Sequence, residues 1–426
     1  MTEDFLHYIW KYKLYDSAQL ITEDGETIQV QKQGEHNTNS GPDFFNAKLK
    51  IGKTTWAGNV EIHIKSSAWI EHKHDKDKAY DNVILHVVYD NDKQIKLRNG
   101  EIIPALELKG KFDSGLYKKY EQLQKSKDWI PCAKQIKAVD PFTLSAWQDR
   151  LLVERLERRS DAIEKSLALN KNNWEETFYQ HIARSFGFKV NNDPFELLAR
   201  ALPLNILVKH KSSQFQIEAL LFGQAGLLDK KFTDTYPQYL QTEYNFLKKK
   251  YDLKPIDAHL WKFARMRPVN FPTIRIAQFA ELIFKSVHLF SKILEVQNVK
   301  QLYQLLEVET SEYWQTHYTF DKKSAKKSKS LGHLGIESIT INTILPFLFV
   351  YGKSRADEKF CDRALSLLEQ IPAEKNSIIE NWKKLGVKSS SAYQTQALLQ
   401  LKNEYCSNIR CLDCAVGHKI LKQKGV

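Results

Sequence analysis

Up to about residue 110 the chain repeats every two residues, the period of a half-buried β-strand. "ETIQVQKQ" (26–33) alternates polar and apolar. "FFNAKLKI" puts Phe45, Ala47, Leu49 and Ile51 on one side, and "NVEIHIK" does the same with Val60, Ile62 and Ile64. "NVILHVVYD" (82–90) is almost continuously apolar, as a central strand covered on both faces must be. "IIPALEL" (102–108) fits a last strand, and short helices near 2–13 and around 66–80 would cover the sheet. From about Asp140 the period becomes helical. Asp140-Pro141 and Asp193-Pro194 each read as a helix cap followed by Pro at the first helical position. Segments 144–163 and 273–294 carry apolar residues at helical spacing.

This change of period predicts an α+β chain in two domains. Residues 1–130 would form a small α/β domain with a mixed sheet. Residues 131–426 would form a larger all-α domain that ends in a cysteine cluster. At 426 residues the chain is long enough for two or three domains.

Charge sharpens the division. Residues 1–130 hold 19 Lys and Arg against 20 Asp and Glu, a balance of −1, so residues 131–426 carry +13. A neutral domain attached to a basic one suits a polyanionic partner, nucleic acid above all, with DNA favoured over RNA. The acidic start MTEDFLHYIW is unlike a signal peptide, and "INTILPFLFVY" (341–351) is too short to span a bilayer. Five cysteines in this length do not make a disulfide scaffold. A reduced cytoplasmic protein without a membrane anchor is the expectation.

The stretch "GPDFFNAKLKIGKTTWAGNVEIHIK" (41–65) carries the most chemistry, because Glu61, His63 and Lys65 share one face of a strand. If a two-residue loop at Gly52-Lys53 joins two strands, paired numbers sum to 105 and Asp43 lies opposite Ile62. A three-residue loop, or a bulge near Pro42, shifts the sum to 106 and sets Asp43 against His63. Either register brings the two acids to the same height on neighbouring strands. Two carboxylates suit Mg²⁺, which polarises a phosphodiester and activates water for in-line attack. His63 would then orient or deprotonate the water, and Lys65 would stabilise the developing charge. Glu35 in "QGEHN" is a candidate third acid.

Pro42-Asp43, the hairpin and Glu61 resemble the signature of the PD-(D/E)xK restriction-enzyme-like nuclease superfamily. That resemblance covers residues 1–110 and implies a Mg²⁺-dependent nuclease. The superfamily's catalytic lysine position falls on His63, and Lys65 comes two residues later. Over nearly its whole length the chain is similar to an uncharacterised bacterial family, domain of unknown function 2851. "NSGPDF", "GNVEIHIKSSAW", "VILHVVYD", "RPVNFPTIRIAQ" and "YCSNIRCLDC" carry that similarity.

Other clusters supply alternatives. "WIEHKHDKD" offers His72, His74 and Asp75, which with His63 could build a transition-metal hydrolase if the segment is extended; a polar loop contacting phosphate is the plainer reading. His86 reads as a core histidine. Cys406, Cys411, Cys414 and His418 could close a Zn²⁺ site, or Cys132 could add a fourth thiolate for an iron–sulfur cluster, as dispersed cysteines do in some nucleases of the resembled superfamily. Lys322, Lys323, Lys326, Lys327 and Lys329 read as a mobile basic loop that grips phosphate. The leading expectation is a Mg²⁺-dependent nuclease. The rivals are a non-catalytic nucleic-acid-binding protein with a degenerate nuclease core, the histidine-based metal hydrolase, and an assembly protein without chemistry.

Overall fold

The computed structural model describes residues 1–286 and 288–423. They form two compact units, residues 1–147 together with the segment from 401 onward, and residues 148–400. The sequence placed a boundary near residue 130 and gave the C-terminal segment to the helical domain. In the structure that segment belongs to the first unit. The architecture is α+β, with a mixed sheet near the N-terminus and helices beyond it.

The first unit opens with α1 (Glu3–Lys11), capped by the Thr2 side chain and burying Phe5, Leu6, Ile9 and Trp10. Its sheet contains β1 (Ile28–Lys32), β2 (Glu35–His36), β3 (Phe44–Ile51), β4 (Thr54–Lys65), β5 (Val83–Asp90) and β6 (Ala105–Glu107). The order is β1-β3-β4-β5-β6, with β2 also on β3. β3 runs antiparallel to β1, β2 and β4, while β5 is parallel to both β4 and β6. The fully buried run Val83–Val88 is the reason β5 reads as apolar throughout.

A parallel pair needs a crossover, and the chain between β4 and β5 supplies it. It is not the single helix expected over 66–80. Instead α2 (Ala68–Glu71) is followed by single 3₁₀ turns at His74–Lys76 and Lys78–Tyr80. Lys73 stands between them in the left-handed region (φ 65°), which ends the helix and reverses the chain. Trp69 and Tyr80 fasten the crossover to Val83, Ile95 and Ile103 in a small core of their own.

The hairpin β3–β4 turns at Gly52-Lys53, and from Ile51↔Thr54 to Ala47↔Gly58 its pairs follow the two-residue register. The register then slips, so that Phe44 pairs with Val60. This slip runs opposite to the one considered from sequence, and the extra residue lies at Asn46, not near Pro42. Asn46 sits at φ 56°, a conformation that asparagine tolerates better than most residues, and its N–H is held by Asn59 Oδ1 (3.3 Å). Continued one residue, the new register sets Asp43 opposite Glu61, on the face that Glu61 shares with His63.

The second unit is helical. It contains most of a 29-residue helix, Pro141–Leu169, which starts where Asp140-Pro141 predicts and is capped by Asp140 on the Thr143 N–H (2.8 Å). The helix expected over 273–294 occupies Pro272–Lys285 and Leu289–Glu295, with residue 287 outside the described residues. The run His333–Arg355 is long and apolar enough to cross a membrane by length and composition, but 67% of its most apolar window is buried, as in a core helix. The lysine segment is more structured than expected. Lys322–Lys323 form a short strand against His317–Thr319. Lys329 is buried, donating to the carbonyls of Trp314 and Gln315, which removes it from any phosphate-gripping surface; Lys322, Lys323, Lys326 and Lys327 remain exposed.

The bulge makes a local prediction. Asn46→Gly should change stability by only a few tenths of a kcal/mol, whereas Asn46→Val should cost about 1–2 kcal/mol because a β-branched residue resists positive φ. Urea unfolding of the two variants measures the difference; equal stabilities would mean the bulge is not held as described.

Candidate metal centre

The slipped register has a direct consequence at the end of β3. The Asp43 N–H donates to Glu61 Oε2 (3.1 Å), and the Ile62 N–H donates to Asp43 Oδ2 (2.9 Å). The link between the two acids runs through the Asp43 amide, while the Asp43 carboxylate is taken by the Ile62 amide. Each holds the other's strand, and neither carboxylate is left free to swing. His7, on α1, comes against Asp43 Oδ2 at 3.1 Å. The sequence reading missed His7, whose only signal was its position among the apolar residues of an N-terminal helix.

The other Glu61 oxygen faces imidazoles. Oε1 lies 3.3 Å from His74 Nε2 and 3.6 Å from His63 Nε2, and His72 Nδ1 lies 3.2 Å from His63 Nε2. Donor atoms of His63, His72 and His74 fall within 4.8 Å of one another, the only such set of three or more among the described residues. A tetrahedral ion with Zn–N distances near 2.0–2.1 Å needs donors about 3.3–3.4 Å apart. The contacts quoted above cluster around that spacing. Left-handed Lys73 makes it possible, because His72 closes the α2 turn and His74 opens the next, so both can reach His63 although the segment is neither extended nor one helix.

The neighbours fix these rings. Tyr80 stacks on His74 with centroids 3.8 Å apart, and Trp69 packs edge-on against His74 and His86. His86, fully buried, has its Nε2 2.9 Å from His63 Nδ1. Were His63 Nε2 to hold a metal, its Nδ1–H would donate to His86, which stands where metal-bound imidazoles ordinarily find an acceptor. His86 is thus a core histidine that also orients the cluster.

Electrostatics separate the roles. Burial, with help from the surrounding imidazoles, depresses His63 to about 2, and burial with His74 depresses His86 to about 3. Both rings stay neutral, which suits a metal ligand and removes His63 as the base expected from sequence. Burial and the nearby Asp43 charge raise Glu61, with His74 opposing them. Burial would lower His7, but the hydrogen bond and charge of Asp43 more than offset it, so His7 ends above its usual value.

Other expected residues fall elsewhere. Glu35 is exposed and paired with Lys32 (2.9 Å), so it is no third acid of this site. Lys65 is exposed at the end of β4, in the field of Asp92. Asp75 keeps one buried carboxylate oxygen without a partner. His418 has its Nδ1 2.8 Å from the Tyr8 hydroxyl and its ring 4.3 Å from that of Tyr12, and it is not among the residues that line the cysteine cavity, where Cys132 stands with Cys406, Cys411 and Cys414. A cavity of about 660 Å³ lies beside the site, and His7, Lys11, His36 and Arg410 are among the residues that line it.

Two buried neutral histidines impose a pH dependence. Their folded pKa values lie below the unfolded value of 6.5, so as pH falls below 6.5 the unfolded chain takes up protons that the folded chain refuses, and stability is lost. At pH 5.5 each group should remove roughly 1.4 kcal/mol relative to pH 7.5. Chemical unfolding of the metal-free protein at the two pH values, with His86→Phe as comparison, measures this. The variant should show the smaller loss; identical pH dependences would contradict the burial assigned to His86.

The model of the family described as "Protein of unknown function (DUF2851)" matches residues 3–377. No curated protein and no solved structure matches the chain. The match runs through the sheet, the crossover with its histidines and most of the helical unit, and the chain belongs to this family of unknown function.

Proposed function

We propose that the first unit is a hydrolase of phosphodiesters, a nuclease in the broad sense, that uses a transition-metal ion held by His63, His72 and His74. The observation that carries this reading is the convergence of three imidazole donors within 4.8 Å, with a buried carboxylate 3.3 Å from one of them. An imidazole-rich donor set suits Zn²⁺ or another first-row ion better than Mg²⁺, which prefers oxygen. The proposal therefore keeps the phosphodiesterase expected from sequence and changes its metal.

A bound ion of this kind supplies Lewis-acid polarisation of a phosphoryl oxygen and a more acidic water. The protein supplies the rest. Glu61, raised by burial and fixed through Oε2 to the Asp43 amide, is placed to accept the proton of the attacking water through Oε1. Asp43 is a positioning residue that ties Glu61 to His7. His7 lines the adjoining cavity, and Asp43 favours its protonated form, so it is the group proposed for the part the resembled superfamily gives to lysine. The same cavity is polar and of mixed charge, lined by Lys11, His36 and Arg410 together with Asp4 and Asp413. Nucleic acid remains the favoured substrate, on the basic balance of residues 131–426.

One observation favours a second reading. Glu61 Oε1 lies 3.3 Å from His74 and 3.6 Å from His63, two of the three imidazoles, and Glu61 and His63 are only 4% and 2% exposed. A closed four-ligand site is typical of structural zinc, which would here pin the crossover to the sheet.

The readings separate by experiment. The purified protein should bind about one Zn²⁺ or Mn²⁺ per chain at this site and cleave single- or double-stranded DNA or RNA. His74→Ala should lose that ion, and Glu61→Gln should keep it while cleavage falls by about 10²–10⁴-fold. Stoichiometric metal without cleavage of any of these substrates would select the structural ion, and full cleavage by His74→Ala would overturn the assignment.

A further inference from the structure

Four of the five cysteines meet in one place. Cys132, from the turn after Pro131, and Cys406, Cys411 and Cys414, from the C-terminal segment, line a single small cavity in the first unit. All four are free thiols, so no disulfide explains the gathering, and the fifth, Cys361, lies apart with its thiol directed at the Phe349 carbonyl. The chain takes unusual backbone to bring them together. A π-helical turn, Leu401–Cys406, delivers Cys406. Ile409, a β-branched residue, is held at φ 53° between Cys406 and Cys411. Gly417 lies so close to the Cys411 carbonyl that a Cβ there would sit 2.1 Å from its oxygen. The amides of Val416 and Gly417 donate to the Cys414 sulfur.

The spacing bears on which metal fits. In a Zn–S₄ tetrahedron with Zn–S near 2.3 Å, every pair of sulfurs is about 3.8 Å apart. Among the described residues only His63, His72 and His74 bring three donors within 4.8 Å, so no three of these sulfurs are that close. Four thiols facing one cavity at wider separation suit a polynuclear core set between them. Arg410, which also lines the cavity and pairs with Asp413 at 3.1 Å, puts a cation beside what would be four thiolates.

We infer that Cys132, Cys406, Cys411 and Cys414 ligate an iron–sulfur cluster, independently of the histidine site. The cluster would tie the C-terminal segment to the turn at Pro131. It would thereby fix Asn408, Ile409, Arg410 and Asp413, which form one wall of the cavity that His7 lines.

The test uses the full chain, purified without oxygen and also reconstituted with ferrous iron and sulfide. About two or four iron atoms with matching acid-labile sulfide per chain are expected, together with visible absorption that bleaches under dithionite. Cys132→Ser should lose the iron, while Cys361→Ser, His418→Ala and His74→Ala should retain it. Electron paramagnetic resonance of the reduced wild-type protein gives a readout that needs no variant to fold. One zinc per chain at these cysteines, iron undiminished in a soluble Cys132→Ser protein, or no iron after reconstitution would each overturn the assignment.

Discussion

A carboxylate in a protein interior must be compensated, and the first unit is arranged around compensating Glu61. One oxygen takes the Asp43 amide, the other faces His74 and His63, and Asp43 in turn is held by the Ile62 amide and by His7. These contacts draw together α1, the end of β3, the middle of β4 and the crossover before β5. The Asp43 contacts depend on the extra residue that β3 carries at Asn46, because without the slip Asp43 would face the apolar side with Ile62. A single bulge therefore decides whether Asp43, and His7 with it, joins the polar centre.

The same compensation explains why the centre is rich in imidazole. Lysine at position 63 would bury an ammonium beside His86, His72 and His74, with Glu61 as the adjacent counter-charge. Histidine can occupy the position neutral. On the other side of Asp43, His7 reaches in from α1, and the Asp43 carboxylate favours its protonated form.

Sequence pattern revealed the elements better than their relations. The period-2 stretches located β1, β3, β4 and β5 within a residue or two, since burial of alternate or successive side chains is written locally. The pairing of Asp43 with Glu61 was legible as a possibility, but the bulge that achieves it depends on one asparagine adopting positive φ, which asparagine permits without demanding. His72 and His74 looked like a ligand pair only if extended, and nothing in "HKH" announces that Lys73 turns left-handed. Lys329 was misread because a lysine in a basic run looks solvated, whereas here two carbonyls of a neighbouring helix end receive it. The return of the C-terminal segment to the first unit is a long-range contact with no local periodicity. Only the chemistry of the cysteines hinted at it, once Cys132 was considered beside the other three.

The most direct examination of the central claim is a crystal structure of the zinc-loaded protein, with anomalous data collected on both sides of the zinc absorption edge. The account requires an anomalous peak about 2.0–2.1 Å from one nitrogen each of His63, His72 and His74, with a Glu61 oxygen at or near the coordination shell. A peak elsewhere, or rings of His72 and His74 turned out to solvent with Glu61 satisfied by Asp43 alone, would contradict it.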